Sequence, residues 1–277
     1  MAVIFALLGG DLRSVLLCKA LRKDGHKVRP YALEAALRCC AESAADAAEG
    51  AECLLLPLPC ERNGRLNAPL SDREEAVEHL LRFAARGTPV LAGMAGERVR
   101  VACRNLELPL TDYGLREDFA LRNADLTAEG ALGLLADGAH ALRDSRVLLV
   151  GWGRIGRALA EKLLALGAEV TVAARSPEAR AAAELRGCRV CRPEEAPRPG
   201  YDAVVNTVPA RLYGREALSD FGGARLIELA SAPYGFDPAA AEELGTTVTL
   251  AAGLPGKYAP ASAARAVQKT VYSILGL

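Results

Sequence analysis

The stretch from Arg146 to Ala173 constrains this chain more than any other. An apolar run, Val147-Leu148-Leu149-Val150, leads into Gly151-Trp152-Gly153-Arg154-Ile155-Gly156, then a helix-forming segment, Arg157–Leu166, and a second apolar run, Glu169–Ala173. A bare G-x-G-x-x-G is a weak signal. Placed after a buried strand, opening a helix and followed by a second strand, it reads as the phosphate-binding turn of a βαβ unit. Gly151 makes the tight turn, Gly153 admits a pyrophosphate to the backbone, and Gly156 lets helix and strand pack closely. The helix start adds free amides and the positive end of a dipole. Gly151, Trp152, Gly153, Arg154, Ile155 and Gly156 are therefore expected to hold a dinucleotide.

The end of the second strand sets the nucleotide. An NAD site carries Asp or Glu there for the ribose hydroxyls. This chain has Ala173-Ala174-Arg175-Ser176. Arg175 suits a 2′-phosphate that a carboxylate would repel, and Ser176 can donate to it, so NADP (NADPH) is expected over NAD. A later strand closes on Asn206-Thr207-Val208-Pro209. Strand ends line the crevice of such a sheet, which brings Thr207, Val208 and Pro209 to the cofactor.

Apolar runs alternate with helical stretches along the whole chain, as parallel sheets covered by helices require. Strands are expected at Val3–Leu8, Lys27–Tyr31, Cys53–Leu56, Val90–Ala92 and Val99–Cys103, and after the glycine turn at Arg189–Cys191, Ala203–Thr207, Leu226–Glu228 and Thr247–Leu250. Helices are expected at Leu12–Asp24, at Glu74–Arg86 behind a capping box at Ser71, from Thr127 to about Arg143, and at Ala259–Leu275. The fold class is α/β: an N-terminal substrate domain, 1–125, and a doubly wound Rossmann-type parallel sheet, 126–277, with a cleft between them. The C-terminal helix is expected to return to the junction.

Composition excludes several classes. Lys+Arg and Asp+Glu total 34 each in 277 residues, which leaves no basic footprint for nucleic acid. No apolar run nears the roughly 20 residues of a membrane helix. The start, Ala2–Leu8, has no basic flank and runs into Gly9-Gly10-Asp11, so it reads as a strand and not as a signal peptide. Eight cysteines without a signal suit reduced thiols in a cytoplasm. Cys188-x-x-Cys191 lacks a second ligand pair, and no metal is expected.

Further motifs occur in a fixed order: Gly9-Gly10-Asp11-x-Arg13, Asn123-x-x-x-Thr127-x-Glu129-Gly130, the glycine turn, Asn206-Thr207-x-Pro209, Glu228-Leu229-Ala230-Ser231-x-Pro233, and Gly253-Leu254-Pro255-Gly256-x-x-Ala259-Pro260. In this order they resemble the bacterial dipicolinate synthase family, in its A-type chain, over nearly the whole length. The resemblance implies NADP-dependent oxidation of dihydrodipicolinate to pyridine-2,6-dicarboxylate, the spore-core chelator, and a separate flavoprotein-like B-type chain as partner. Ser14 and Ser262 stand where an amide side chain and a Thr are expected of that family.

Such a step needs a nicotinamide in line with the C–H bond and donors for two carboxylates. Arg13 is the leading carboxylate clamp, with Asn123 and Thr127 as further substrate contacts. Glu129 is a candidate acceptor for the ring proton, and Ser231 and Lys257 are candidate donors. Thr127 and Glu129 equally fit a helix start. Two other readings stay open: an NADP-dependent dehydrogenase of another small carboxylate, and a nucleotide-binding chain without turnover. A hydroxy-acid dehydrogenase normally uses a His, and His26, His79 and His140 all precede the glycine motif. A shikimate-type enzyme wants a catalytic Lys, and Lys19, Lys23 and Lys27 cluster on or just after the first helix. Homo-oligomer formation is left open.

Overall fold

A computed structural model describes residues 2–137 and 141–277. His140 and part of the expected helix end near Arg143 lie outside the described residues. In chain order the elements are β1 Ile4–Leu8, α1 Leu12–Lys23, β2 Lys27–Tyr31, α2 Ala44–Ala48, β3 Cys53–Leu55, β4 Glu61–Arg62, β5 Arg65–Leu66, α3 Val77–Leu80, β6 Val90–Ala92, α4 Glu97–Asn105 and β7 Leu110–Asp112. They continue with α5 Glu117–Ala136, β8 Arg146–Val150, α6 Arg154–Ala165, β9 Glu169–Ala173, α7 Pro177–Glu184, β10 Arg189–Cys191, β11 Ala203–Asn206, α8 Arg215–Asp220, β12 Arg225–Glu228, α9 Pro238–Glu243, β13 Val248–Leu250, α10 Leu254–Tyr258 and α11 Pro260–Leu275.

Two compact units result, one of residues 1–123 with 256–277 and one of residues 124–255. The first holds a parallel sheet in the order β2-β1-β3-β6-β7. Period-two alternation sorts its side chains. Ala6, Leu8, Leu54, Val90 and Ala92 pack on one face, and Phe5, Leu7, Cys53, Leu55 and Leu91 on the other. Both faces are apolar, as a sheet covered on both sides requires. The second face meets Val15, Cys18 and Leu21 of α1 and Ala264, Val267 and Val271 of α11.

The second unit holds a parallel sheet in the order β10-β9-β8-β11-β12-β13. Val147, Leu149, Val170, Val172 and Val205 face a core built with α5 and α6, while Leu148, Val150, Ala173, Val204 and Leu226 face the opposite core. This is the doubly wound order whose direction reverses between β8 and β11.

Several expectations change. Residues 256–277 group with the first unit and not with 126–255, because α11 lays its small and β-branched residues on α1. Val99–Cys103 is not a strand but part of α4: Val99 and Cys103, four residues apart, are its buried pair. The expected helix at Glu74–Arg86 shrinks to α3 and a 3₁₀ turn, Leu81–Phe83. The Glu75 carbonyl accepts from Leu66 N at 2.7 Å, which holds that stretch in a non-helical pairing. Thr127 does not open a helix. It lies buried inside α5, ten residues from that helix's start.

Candidate functional site

In the second unit, β8 ends on the glycine turn. Gly151 has φ +101°, and a Cβ there would lie 2.6 Å from both Thr207 Oγ1 and Val208 Cγ2. A Cβ on Gly156 would lie 2.3 Å from the Gly151 carbonyl oxygen. Both glycines are therefore demanded by packing. Gly153 differs: a Cβ there would meet nothing within 4 Å. It is the N-cap of α6, with no side-chain cap and no acidic residue in the first turn. An exposed glycine at an uncapped helix start suits an anion, and these residues fit the pyrophosphate of a dinucleotide. Trp152 and Ile155 are half-buried against the core beneath the turn, while Arg154 is exposed.

Thr207 closes the turn from the other side, donating Oγ1–H to the Val150 carbonyl at 2.8 Å. Its loop is shaped by Asn206, whose Nδ2 donates to Val208 O at 2.9 Å and whose Oδ1 accepts from Val208 N at 3.1 Å. Asn206 Nδ2 also donates to Glu228 Oε1 at 2.6 Å. That carboxylate further accepts from Ala230 N at 3.0 Å, Gly235 N at 2.8 Å and Phe236 N at 3.3 Å. Four N–H groups thus satisfy a carboxylate that is 1% exposed. From sequence, Asn206 and Glu228 stand out only as letters of two motifs. The signal available was that each is a polar residue ending an otherwise apolar strand on one sheet edge.

At the end of β9, Arg175 is exposed and Ser176 caps α7, accepting from Ala179 N at 3.1 Å. Arg180, which the sequence motifs do not single out, bridges the same corner: its Nη1 donates to Ala174 O at 2.8 Å and Arg175 O at 2.7 Å. It lies one helical turn beyond Ser176, a spacing that the strand-end motif does not cover.

The remaining candidates fall into two groups. Ser231 and Pro209 are exposed beyond β12 and β11. Glu129 is exposed on α5 beside Lys162 of α6, at 3.8 Å, and Lys162 is closer to Asp125, at 2.8 Å. The hydrogen bond to Asp125 and the neighbouring carboxylates raise the Lys162 pKa. In the first unit, Arg13 is 13% exposed and Asp11 33%. Arg13 donates Nε–H to Asp11 Oδ1 at 2.9 Å and Nη2–H to Asp11 Oδ2 at 2.8 Å and Leu58 O at 2.6 Å. Gly256 covers this pair, since a Cβ there would lie 2.9 Å from Arg13 Nε. Lys257, the next residue, is exposed in the short helix α10 rather than in a loop. Asn123 is half-buried on α5.

Of the histidines, His26 accepts from Val3 N at 3.1 Å and packs edge-on against Phe5, while His79 packs against Phe83. Among the described residues no helix is long and apolar enough to cross a membrane, and no group of three His, Cys, Asp or Glu is placed to hold a metal.

Comparison with known proteins follows the same two-part division. Residues 4–114 match the N-terminal domain of the dipicolinate synthase A chain, and residues 125–220 match the D-isomer specific 2-hydroxyacid dehydrogenase, NAD binding domain. The dipicolinate synthase A chain of Bacillus subtilis (strain 168) is 26% identical over 284 residues, covering 98% of this chain and 95% of the relative. The crystal structure of the dipicolinate synthase A chain from Bacillus halodurans superposes with a TM-score of 0.86 at 24% identity, covering 100% of this chain and 98% of that one. A transhydrogenase from Sinorhizobium meliloti shares the fold at a TM-score of 0.69 and 18% identity, covering 98% and 93%. The protein is thus similar from end to end to the A chain of dipicolinate synthase, and it joins that chain's N-terminal domain to a nicotinamide-nucleotide-binding domain of the dehydrogenase type.

Proposed function

We propose that this protein is an NADP-dependent oxidoreductase that converts dihydrodipicolinate to pyridine-2,6-dicarboxylate, acting with a flavoprotein-like second chain. The observation that carries the nucleotide half is the turn itself: Gly153 faces open space at an uncapped helix start, between two glycines that packing demands. The preference for NADP rests on Arg175 just past the end of β9, where an NAD site would have a carboxylate, with Arg180 of α7 bracing its carbonyl. The substrate and the partner rest on similarity to the dipicolinate synthase A chain.

When bound, the nicotinamide supplies a hydride acceptor. The ring loses one hydride and one proton and becomes aromatic, so the protein's own task is mainly alignment and charge matching. Arg13 anchors a carboxylate through the guanidinium edge that Asp11 and Leu58 leave uncovered. Asn123 and Thr127 are further substrate contacts. Glu129, beside Lys162 on α6, takes the ring proton, and Ser231 and Lys257 donate to substrate or cofactor. Thr207, Val208 and Pro209 flank the nicotinamide side of the turn. A cytoplasmic location in a spore-forming cell follows from the same reading.

Titration of the purified chain with NADPH and NADH, each with and without pyridine-2,6-dicarboxylate, tests it. Trp152, the chain's one tryptophan, lies in the turn and reports binding by fluorescence. NADPH binding tighter than NADH, with a dicarboxylate response, is the expected result. Nucleotide binding without that response would point to another small carboxylate or to a chain without turnover. Silence toward both nucleotides would overturn the oxidoreductase reading.

A further inference from the structure

The sheet of the first unit has a switch point of its own. Its order, β2-β1-β3-β6-β7, reverses direction between β1 and β3, and open parallel sheets bind ligands beyond the carboxyl ends of the strands there. Those ends carry the turn Gly9-Gly10-Asp11 after β1 and the segment Pro57–Cys60 after β3. Asn67, the residue that follows β5, ties the two together. Its carbonyl accepts from Gly10 N at 2.8 Å, its N–H donates to Cys60 O at 3.1 Å, and its Nδ2 donates to Pro59 O at 2.9 Å. A Cβ on Gly9 would lie 3.1 Å from the Asn67 carbonyl oxygen, so the turn presses directly on this residue.

Those bonds fix which way the amide points. A peptide carbonyl only accepts, so the amide nitrogen must face Pro59 and Oδ1 is turned away from it. Asn67 is 4% exposed, yet Oδ1 has no donor among the described residues. The buried side-chain oxygens without a partner among those residues belong to Glu61, Glu78 and Tyr213, so Asn67 Oδ1 opens to solvent. A polar side chain almost wholly buried, held at the strand ends of a switch point and keeping one acceptor open, is placed for a ligand hydrogen and not only for packing. Arg13 hangs from the same loop. It donates to Leu58 O at 2.6 Å, one residue before the carbonyl that takes Asn67. A cation and an open acceptor held by consecutive carbonyls suit a carboxylate with an N–H beside it.

We propose that Asn67 Oδ1 accepts from the ring nitrogen of a reduced cyclic dicarboxylate, next to the carboxylate that Arg13 grips. Asn67 is then a specificity residue that tells the reduced ring from the aromatic product. A reduced ring presents N–H in its enamine or protonated form, whereas a pyridine nitrogen offers only a lone pair, which a second acceptor repels. Asn67 thereby holds substrate and favours release of product. This inference rests on the dicarboxylate reading given above, and it adds the residue that reads the ring.

The test is calorimetric titration of the full chain, saturated with NADPH so that no hydride acceptor is present. The two ligands are piperidine-2,6-dicarboxylate, whose ring nitrogen carries hydrogen, and pyridine-2,6-dicarboxylate, whose ring nitrogen does not. Wild type is expected to bind the piperidine acid more tightly. Asn67→Ala is expected to lower the ratio of the two affinities about tenfold, the size of one hydrogen bond to a charged group. Asn67→Asp, which turns the open acceptor into a carboxylate, should raise it. A ratio taken within one variant cancels any general loosening of the loop. If wild type prefers the piperidine acid and both variants keep its ratio, the role of Asn67 is overturned while the dicarboxylate reading stands. A wild type that binds the pyridine acid as tightly as the piperidine acid also overturns it, and that measurement needs no variant. If wild type binds neither acid, the dicarboxylate reading itself falls, and Asn67 with it.

Discussion

Oε1 of Glu228 accepts a 2.6 Å hydrogen bond from Nδ2 of Asn206, and the two side chains are 1% and 0% exposed. The pair joins the ends of neighbouring strands, β11 and β12. Through Asn206 it shapes the loop against which Gly151 packs, and through Glu228 it holds the Ala230–Phe236 loop by three backbone amides. A carboxylate with no cationic partner among the described residues is thus the hub of the carboxyl edge of the second sheet. Its desolvation is met by four aligned donors.

Glu228→Leu should therefore destabilise the second unit by about 3 kcal/mol, because it strands several buried donors at once. Glu228→Gln should cost less, about 1 kcal/mol, since one acceptor oxygen survives while the new amide N–H groups face other donors. Urea unfolding followed by Trp152 fluorescence reads this unit specifically. Equal effects of the two substitutions would show that packing and not hydrogen bonding sets the cost.

The glycines of the turn should separate into two behaviours. Gly156→Ala places a methyl 2.3 Å from a backbone oxygen, so it should lower the thermal midpoint of the second unit. Gly153→Ala meets no atom within 4 Å and should leave the midpoint unchanged, yet weaken NADPH binding by crowding the pyrophosphate. Melting and nucleotide titration of both variants check the contrast.

Arg175→Asp should weaken NADPH about tenfold or more and leave NADH equal or improved, since a carboxylate repels a 2′-phosphate and accepts from a ribose hydroxyl. Fluorescence titration with both nucleotides measures the ratio. An unchanged ratio would remove Arg175 from the nucleotide site.

Asp11 caps α1 and holds Arg13, and these contacts depend on its charge. Its folded pKa lies below the ordinary 3.8, so the stability it contributes is present above that value and is lost as pH falls through the folded value. Asp11→Ala should cost roughly 1 kcal/mol at neutral pH through the lost cap. The gap from wild type should narrow from about pH 3.8 downward, as seen in far-ultraviolet melts across the acid range. A gap independent of pH would mean that the carboxylate's charge is not what matters.

Much of this protein is legible before its strands are assembled. The glycine turn, the strand-end residues Arg175 and Thr207, and the parallel sheets follow from local sequence, because strand burial, glycine spacing and helix starts are short-range properties. Where local patterns are ambiguous the reading fails. Val99-Arg100-Val101-Ala102-Cys103 alternates like a strand, but helix spacing buries Val99 and Cys103 together. Thr127 looks like a cap, but α5 begins at Glu117.

Local sequence therefore settles the βαβ turn, the helix that starts on its glycines and the apolar strands on either side. Long-range packing settles the rest: that α11 closes the first unit on α1, that Glu228 and Asn206 meet, that Arg180 braces the corner behind Arg175, and that Arg13 reaches the Leu58 carbonyl. The physical reason is separation along the chain. Asn206 and Glu228 are 22 residues apart and Arg13 and Leu58 are 45 apart. Such pairs are brought together by sheet order and loop packing, which no local periodicity encodes.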